Sequence, residues 1–413
     1  MTLTSSDAGR TIAVGALRAV AGAGDAAPAE LGGTYQRLLA AAVDDSGAVA
    51  FGARLESAAS AIVLLAGGSP RVIVRSGDEA PGGGRYRSFG ALDLGDGELL
   101  AFAAQLDGCP RPSGVFLWTG HDGVRALARA GDPAPAGGAY ASFGQLSLTS
   151  WTAGDGPRFL LGLVARLADG RKAVVIQPSH GPALQRLTSG AALGEEVLDD
   201  VVASPVGTGG MCCVATTRGR RGRIRGGLIV TDSLVLSTGL LREGSRMPGL
   251  GRVERLLAPP AISTQLGLLT VELDGGRGAL CTMPPLVGDP EVLVRTGDAL
   301  PGLPGERIRR LGPPVANAGE PGGRTFGVAS VARLRGGRGA LWLGVFRAQV
   351  PLRGEAIVPL LCDDRSDDRD GLPVRSFTPL KLSNSGILLL RGLLGQRGRL
   401  RERLLLLDGL FDW

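Results

Sequence analysis

Three features of the sequence predict an all-β chain, a β-propeller of seven four-stranded blades. A Gly-Asp-x-x-Pro turn recurs at a near-constant interval. Between its copies lie apolar runs of strand size, not helix size. The last unit also stops one strand short, while the first residues of the chain offer a strand that belongs to no unit of their own.

The turn comes first. Its glycines are Gly24, Gly77, Gly131, Gly190, Gly244 and Gly297, at intervals of 53, 54, 59, 54 and 53 residues. The motif is complete at Gly24-Asp25 with Pro28, Gly77-Asp78 with Pro81, Gly131-Asp132 with Pro135, and Gly297-Asp298 with Pro301. It decays to GAALG at Gly190, to GSRMPG at Gly244, and to DGLP at Asp370–Pro373. Glycine supplies a positive φ and proline holds φ near about −65°. A link that must reverse the chain in the same way each time needs the same residues each time. The turn aspartates have a local role to fill, since a carboxylate accepts backbone N–H groups within its own turn.

The strands are clearest in the second unit. YRSFGALDL (Tyr86–Leu94), ELLAFAAQL (Glu98–Leu106), VFLWT (Val115–Thr119) and VRALARA (Val124–Ala130) are separated by GDG, DGCPRPSG and GHDG. Runs of this length between Gly, Pro and Asp are strands. Four per unit is the pattern of a propeller blade, whose sheets bury their faces only by stacking on neighbours. The turn then links the fourth strand of one blade to the first of the next.

The ends complete the pattern. From Ser376 the last unit supplies SFTPLKL, GILLLRGLL and ERLLLLDG, three strands, and LRAVAGAGDAAP (Leu17–Pro28) matches a fourth strand with its turn. The N-terminal strand is therefore expected to close the last blade. This also explains an apolar stretch that imitates a signal peptide: the preceding residues hold an acid, and Arg18 interrupts it. The expected units are 33–84, 85–138, 139–194, 195–251, 252–306, 307–373, and 374–413 with 10–32, in one domain over residues 1–413.

Composition agrees. The 413 residues are 44% hydrophobic, with 67 glycines and 26 prolines but no Gly-X-Y period. No apolar run reaches the roughly 18 residues of a membrane-spanning helix. The formal charge is +6 and the sequence pI about 9.5. Acidic residues number 39 and are interspersed, which argues against nucleic acid as the partner. Cys109, Cys212, Cys213, Cys281 and Cys362 form no CxxC and are expected to be mostly buried free thiols.

DDSGAVAF (Asp44–Phe51), GDGELLAF (Gly95–Phe102) and SNSGILLL (Ser383–Leu390) carry a second signature. With the Gly-Asp-x-x-Pro turns, it resembles a bacterial family of tandem-repeat proteins named for an NxxGxxAF motif. Asp44 stands where the motif has asparagine, and Asn384 and Gly386 are closer together than it asks. The resemblance implies export and a place at the cell surface, and no catalytic residues.

The chemistry is sparse. His121 and His180 both fall in turn sequences, GHDG and PSHG, and no G-x-S-x-G or P-loop motif is present. DDRSDDRDG (Asp363–Gly371) places Asp364, Asp368 and Asp370 before a glycine. With Gly371 at position 6 of a calcium loop, position 12 is Phe377 where a bidentate glutamate is required. A solvated acidic insertion and a calcium site both stay open, and no other cofactor is called for. Arginines crowd the links between second and third strands: Arg218, Arg220, Arg221, Arg223 and Arg225, then Arg335 and Arg338, then Arg397, Arg399, Arg401 and Arg403. In a propeller these links share a face with the turns. That face is expected either to pair its charges internally or to dock an acidic partner, a protein or an acidic glycan. The first reading is a non-catalytic binding or scaffold propeller for a protein partner. The alternative is a propeller enzyme or ligand binder with a calcium or carboxylate site in the channel, where Asp199–Asp200 and Arg307–Arg310 are the charged candidates.

Overall fold

The computed structural model describes residues 6–7, 10–11, 17–153, 156–208, 210–220, 222–230, 235–263, 266–283, 290–299, 305–317, 325–335, 339–347, 353–362, 374–395 and 400–408. The fold is all-β: seven antiparallel four-stranded sheets, a seven-bladed β-propeller. Blade 1 is Tyr35–Val43, Val49–Leu55, Ser60–Ala66 and Ser69–Arg75, paired in chain order. Blade 2 is Arg85–Gly95, Leu99–Asp107, Ser113–Thr119 and Gly123–Arg129. Its strands reproduce the four expected from sequence, shifted by one or two residues at their ends. Blade 3 runs from Tyr140 to Thr188, blade 4 from Glu196 to Arg242, blade 5 from Gly251 to Arg295, and blade 6 from Ile308 to Cys362.

The decayed turns at Gly190 and Gly244 lead into blades that carry short added strands. Blade 4 gains the two-residue strand Ala192–Leu193, and blade 5 gains Arg246–Met247 and Ala261–Ser263. Blade 7 consists of Val374–Leu382, Leu388–Leu394 and Arg401–Leu407, and Arg18–Gly22 pairs with the third of these. The N-terminal strand thus completes the final blade. Among the described residues the only helical turn is Asp274–Gly276.

The chain divides into two compact units. One comprises residues 19–188 with Arg401–Leu404, and holds blades 1 to 3 and the closing strand. Its core lies between blades. Ile62, Leu64 and Val74 of blade 1 pack with Leu92, Leu100, Phe102 and Phe116 of blade 2. Val115 and Leu117 of blade 2 pack with Leu148, Leu161 and Val175 of blade 3. The other unit holds blades 4 to 6 and the rest of blade 7. In it Ile229 packs with Leu256 and Leu269, and Leu280 with Leu311, Val328 and Trp342. Within each unit, strand residues alternate between neighbouring sheets, so a blade that lies between two others is apolar on both faces.

The links between first and second strands are tied by side chains. Asp44 is buried, and its Oδ1 accepts from the backbone N of Ser46 and Ala48 and from Ser46 Oγ. In blade 7 the same job falls to Ser383, whose Oγ accepts from Ile387 N. Ser383 thus takes the structural place of Asp44, three residues before a glycine, while Asn384 Oδ1 accepts from Asn317 Nδ2. Asp44→Ala removes the acceptor of three hydrogen bonds and is expected to cost about 1–3 kcal/mol in urea unfolding. Asp44→Asn keeps an acceptor oxygen and should retain most of that stability.

Candidate functional site

The linking turns share one backbone. Gly24, Gly77, Gly131, Gly190, Gly244 and Gly297 have φ from 88° to 95°, which L-residues rarely adopt. Each glycine N–H donates across the turn, to the carbonyl of Tyr35, Tyr86, Tyr140, Leu198, Val253 or Ile308, at 2.6–2.8 Å. The two decayed copies at Gly190 and Gly244 keep this bond. The turn survives the loss of its aspartate because the glycine conformation and the backbone pairing set it.

In three of the four complete turns the aspartate ties the preceding strand. Asp78, Asp132 and Asp298 accept from the backbone N of Arg75, Arg129 and Arg295, three residues back. Asp78 also takes Arg75 Nε at 3.3 Å, and Asp298 takes Arg295 Nε at 3.2 Å. Asp132 instead takes Arg111 at 2.7 Å. Beneath these turns sit the chain's three tyrosines, all buried. Burial, then the nearby turn aspartates, push the Tyr35 and Tyr140 phenols up to about 12. Tyr86 is raised for the same reasons, with Asp78 as the charge beside it. The repeat spacing marks glycine, aspartate and proline but not these tyrosines, whose sequence signal is the GGTY, GGRY and GGAY that follow three of the turns.

The decayed turn at Gly244 differs in what it leaves open. Arg246, Met247, Pro248, Gly249, Leu250 and Gly251 line a cleft of about 620 Å³ with Asp274 and Arg277 of the next link. Met247 is buried in the core of blades 4 and 5, and Leu250 packs on it, giving an apolar floor. Gly251 has φ +121°, and a Cβ there would run into Asp274 and Arg277, so glycine lets that link close over the backbone. Arg277 Nη2 donates to Asp274 Oδ1 at 3.0 Å. The Arg252 backbone N–H, then Arg277, hold the Asp274 carboxyl below its usual value, so it stays ionised. Arg246 is exposed, and its charge also favours the ionised Asp274. The cleft thus sets two guanidinium groups against one carboxylate.

The described arginines expected on a basic face pair locally or stand exposed. Arg218 and Arg223 both bond to Asp199, at 2.8 and 2.6 Å. That uses two of the arginines expected on a basic face and one of the aspartates expected in the channel. Arg225 Nη1 donates to the Leu256 carbonyl. Arg220, Arg335 and Arg401 are exposed. Arg310 reaches Glu272 at 3.8 Å. Arg221, Arg338, Arg397, Arg399, Pro301 and the acidic run with Asp364, Asp368 and Asp370 lie outside the described residues. Among the described residues no group of three His, Cys, Asp or Glu is gathered to hold a metal. His121 is exposed, and His180 Nδ1 meets Arg158 Nη1 and Ser179 Oγ. Cys212, Cys213 and Cys281 are buried free thiols, and Cys109 is half-buried.

Residues 8–153 match the model of a family of unknown function (DUF7453). No curated protein matches the chain. Among solved structures, the fucose-specific lectin of Aleuria aurantia, described as a six-bladed propeller, is 11% identical with a TM-score of 0.34 over 78% of this chain and 96% of that one. The BP39L lectin of Burkholderia pseudomallei is 12% identical, TM-score 0.40, over 89% of this chain and 98% of that one. An ancestral GH74 enzyme is 11% identical, TM-score 0.46, over 92% of this chain and 44% of that one. None of these likenesses carries a ligand over to this chain.

Proposed function

We propose that the protein is a ligand-binding propeller and that the cleft at 246–251 takes a carboxylate-bearing sugar. The observation that supports this is the pair Arg246 and Arg277 over an apolar floor, with Asp274 as their one counter-charge. A guanidinium binds a carboxylate through two parallel N–H···O bonds. The volume falls within the roughly 300–1,000 Å³ of small-molecule sites. A broad docking face has less support, because Arg218 and Arg223 are both bonded directly to Asp199, whereas among the described residues of the cleft only Arg277 bonds Asp274. An exported module, as the NxxGxxAF resemblance implies, would meet acidic glycans outside the cell.

Calorimetric titration with an oligoglucuronate, α-methyl fucoside as the neutral control, and calcium tests the proposal. The acidic sugar should bind, and binding should weaken as salt rises. Arg246→Ala or Arg277→Ala should weaken it by about 10- to 100-fold, the loss of one charge-assisted contact. Equal binding of the neutral sugar, or an acidic sugar indifferent to both substitutions, refutes it.

A further inference from the structure

The closing strand pairs with its blade through an exchange of residues that no other blade shows. In six blades, the third strand presents alanine or glycine to the residue that ends the fourth strand. The pairs are Ala61 with Arg75, Gly114 with Arg129, Ala173 with Thr188, Gly226 with Arg242, Ala279 with Arg295, and Ala340 with Cys362. Four of the six put arginine on the fourth strand. Its stem lies across the small residue: a Cβ at Gly226 would sit 3.3 Å from Arg242 Cγ. In blade 7 the two are exchanged. The fourth strand ends in Gly22, and the third strand carries Arg403, which is buried. A Cβ on Gly22 would collide with the Arg403 side chain.

The backbone does not share in the exchange. Ala23 N donates to Glu402 O, as Ser76 N does to Ser60 O and Ala130 N to Ser113 O. The register is the same and only the side chains have traded strands. The charge also keeps its place. The Arg403 guanidinium bonds both carboxylate oxygens of Asp25, where Arg75 and Arg295 serve Asp78 and Asp298 in their own turns. The aspartate is thus served from the third strand, not the fourth.

We propose that this exchange is a pairing code that reserves the open edge of Arg401–Leu407 for residues 18–28. A fourth strand from any of the four arginine-bearing blades, set against Arg403, would bring a second guanidinium group against the buried one. That loses their separation and leaves one without a carboxylate. Residues 18–28, set against any other third strand, would face alanine or glycine, leaving a gap and an Asp25 without its guanidinium. Seven similar edges and seven similar strands are otherwise interchangeable in pattern, which is the condition under which repeat chains misassemble or swap strands between copies.

The test uses the full chain with Gly22→Arg, Arg403→Ala and both together, each unfolded in urea and refolded by dilution over a range of protein concentrations. Each single variant should melt earlier than wild type. The double variant rebuilds the regular pair and should recover most of the lost melting temperature. It should nevertheless yield less native monomer, with more mispaired or strand-swapped oligomer by size-exclusion chromatography with light scattering, and increasingly so as concentration rises. A double variant that is not rescued overturns the exchange. One that is rescued and refolds as cleanly as wild type overturns the code. Should either single variant fail to fold, the double variant and wild type still decide between these outcomes.

Discussion

Raising the pH from about 8 to about 11 is expected to unfold the protein, read as exposure of the buried Trp118 and Trp342. The cause is six neutral groups in the core. Burial pushes Cys212 and Cys281 from 9.0 to about 12, and burial, then the neighbouring Cys212, raises Cys213 well above its ordinary value. The phenols of Tyr35 and Tyr140 are pushed from 10.0 to about 12, and Tyr86 is raised with them. In the unfolded chain these groups ionise at their ordinary values, while in the folded chain they hold their protons. Between the two values the folded state binds more protons, so stability falls as pH rises. The thiol contribution is intact below about pH 9 and drains up to about 12, and the phenols join from about 10. Each group costs roughly 1.4 kcal/mol per pH unit inside its window, so at pH 11 the sum is of the order of the whole folding free energy. Replacing Cys212, Cys213 and Cys281 with alanine should move the alkaline midpoint upward. Tyr86→Phe should do so too, and at neutral pH it should be neutral or stabilising, because the buried Tyr86 hydroxyl has no hydrogen-bond partner among the described residues. An unchanged midpoint in both variants refutes this account.

The parts of the fold that were legible from sequence are those set within one repeat. Glycine with positive φ, proline and the strand-sized runs are local demands, so Gly24, Gly77, Gly131 and Gly297 announced the turns and the blades between them. Closure by residues 18–22 was legible for the same reason, as a strand and turn without a unit. What stayed hidden depends on register. Asp199 meets Arg218 and Arg223 only once the first, second and third strands of blade 4 are aligned, so the arginine-rich link looked freer than it is. The cleft was hidden because it is made by what a decayed turn fails to fill. Arg246 and Arg277 stand on different links, and nothing in GSRMPG by itself marks a site. The exchange of Gly22 and Arg403 spans nearly the whole chain and shows only when the third and fourth strands of all blades are compared pair by pair.

Phe102→Ala is expected to be the most damaging single core substitution in the unit of blades 1 to 3. Phe102 is fully buried, stacked on Phe116 with ring centroids 5.5 Å apart and meeting Tyr86 and Phe89 at 6.0 Å each. Truncation loses the ring's transfer energy and opens a cavity that three other rings cannot close together, for a cost of about 3–5 kcal/mol. Phe51 takes the same place in its own motif but meets one ring, Tyr35, at 5.5 Å. Its loss should therefore fall lower in the same range. Phe102→Leu keeps much of the volume and should cost under about 1.5 kcal/mol. Urea unfolding followed by tryptophan emission measures all three. If stacking between blades carries stability, as the core shared by blades 1 and 2 implies, Phe102→Ala should also split or broaden the transition, since each blade is held mainly by its neighbours. A single sharp transition that shifts by the same amount for Phe102→Ala and Phe51→Ala would mean that the aromatic cluster adds nothing beyond its buried area.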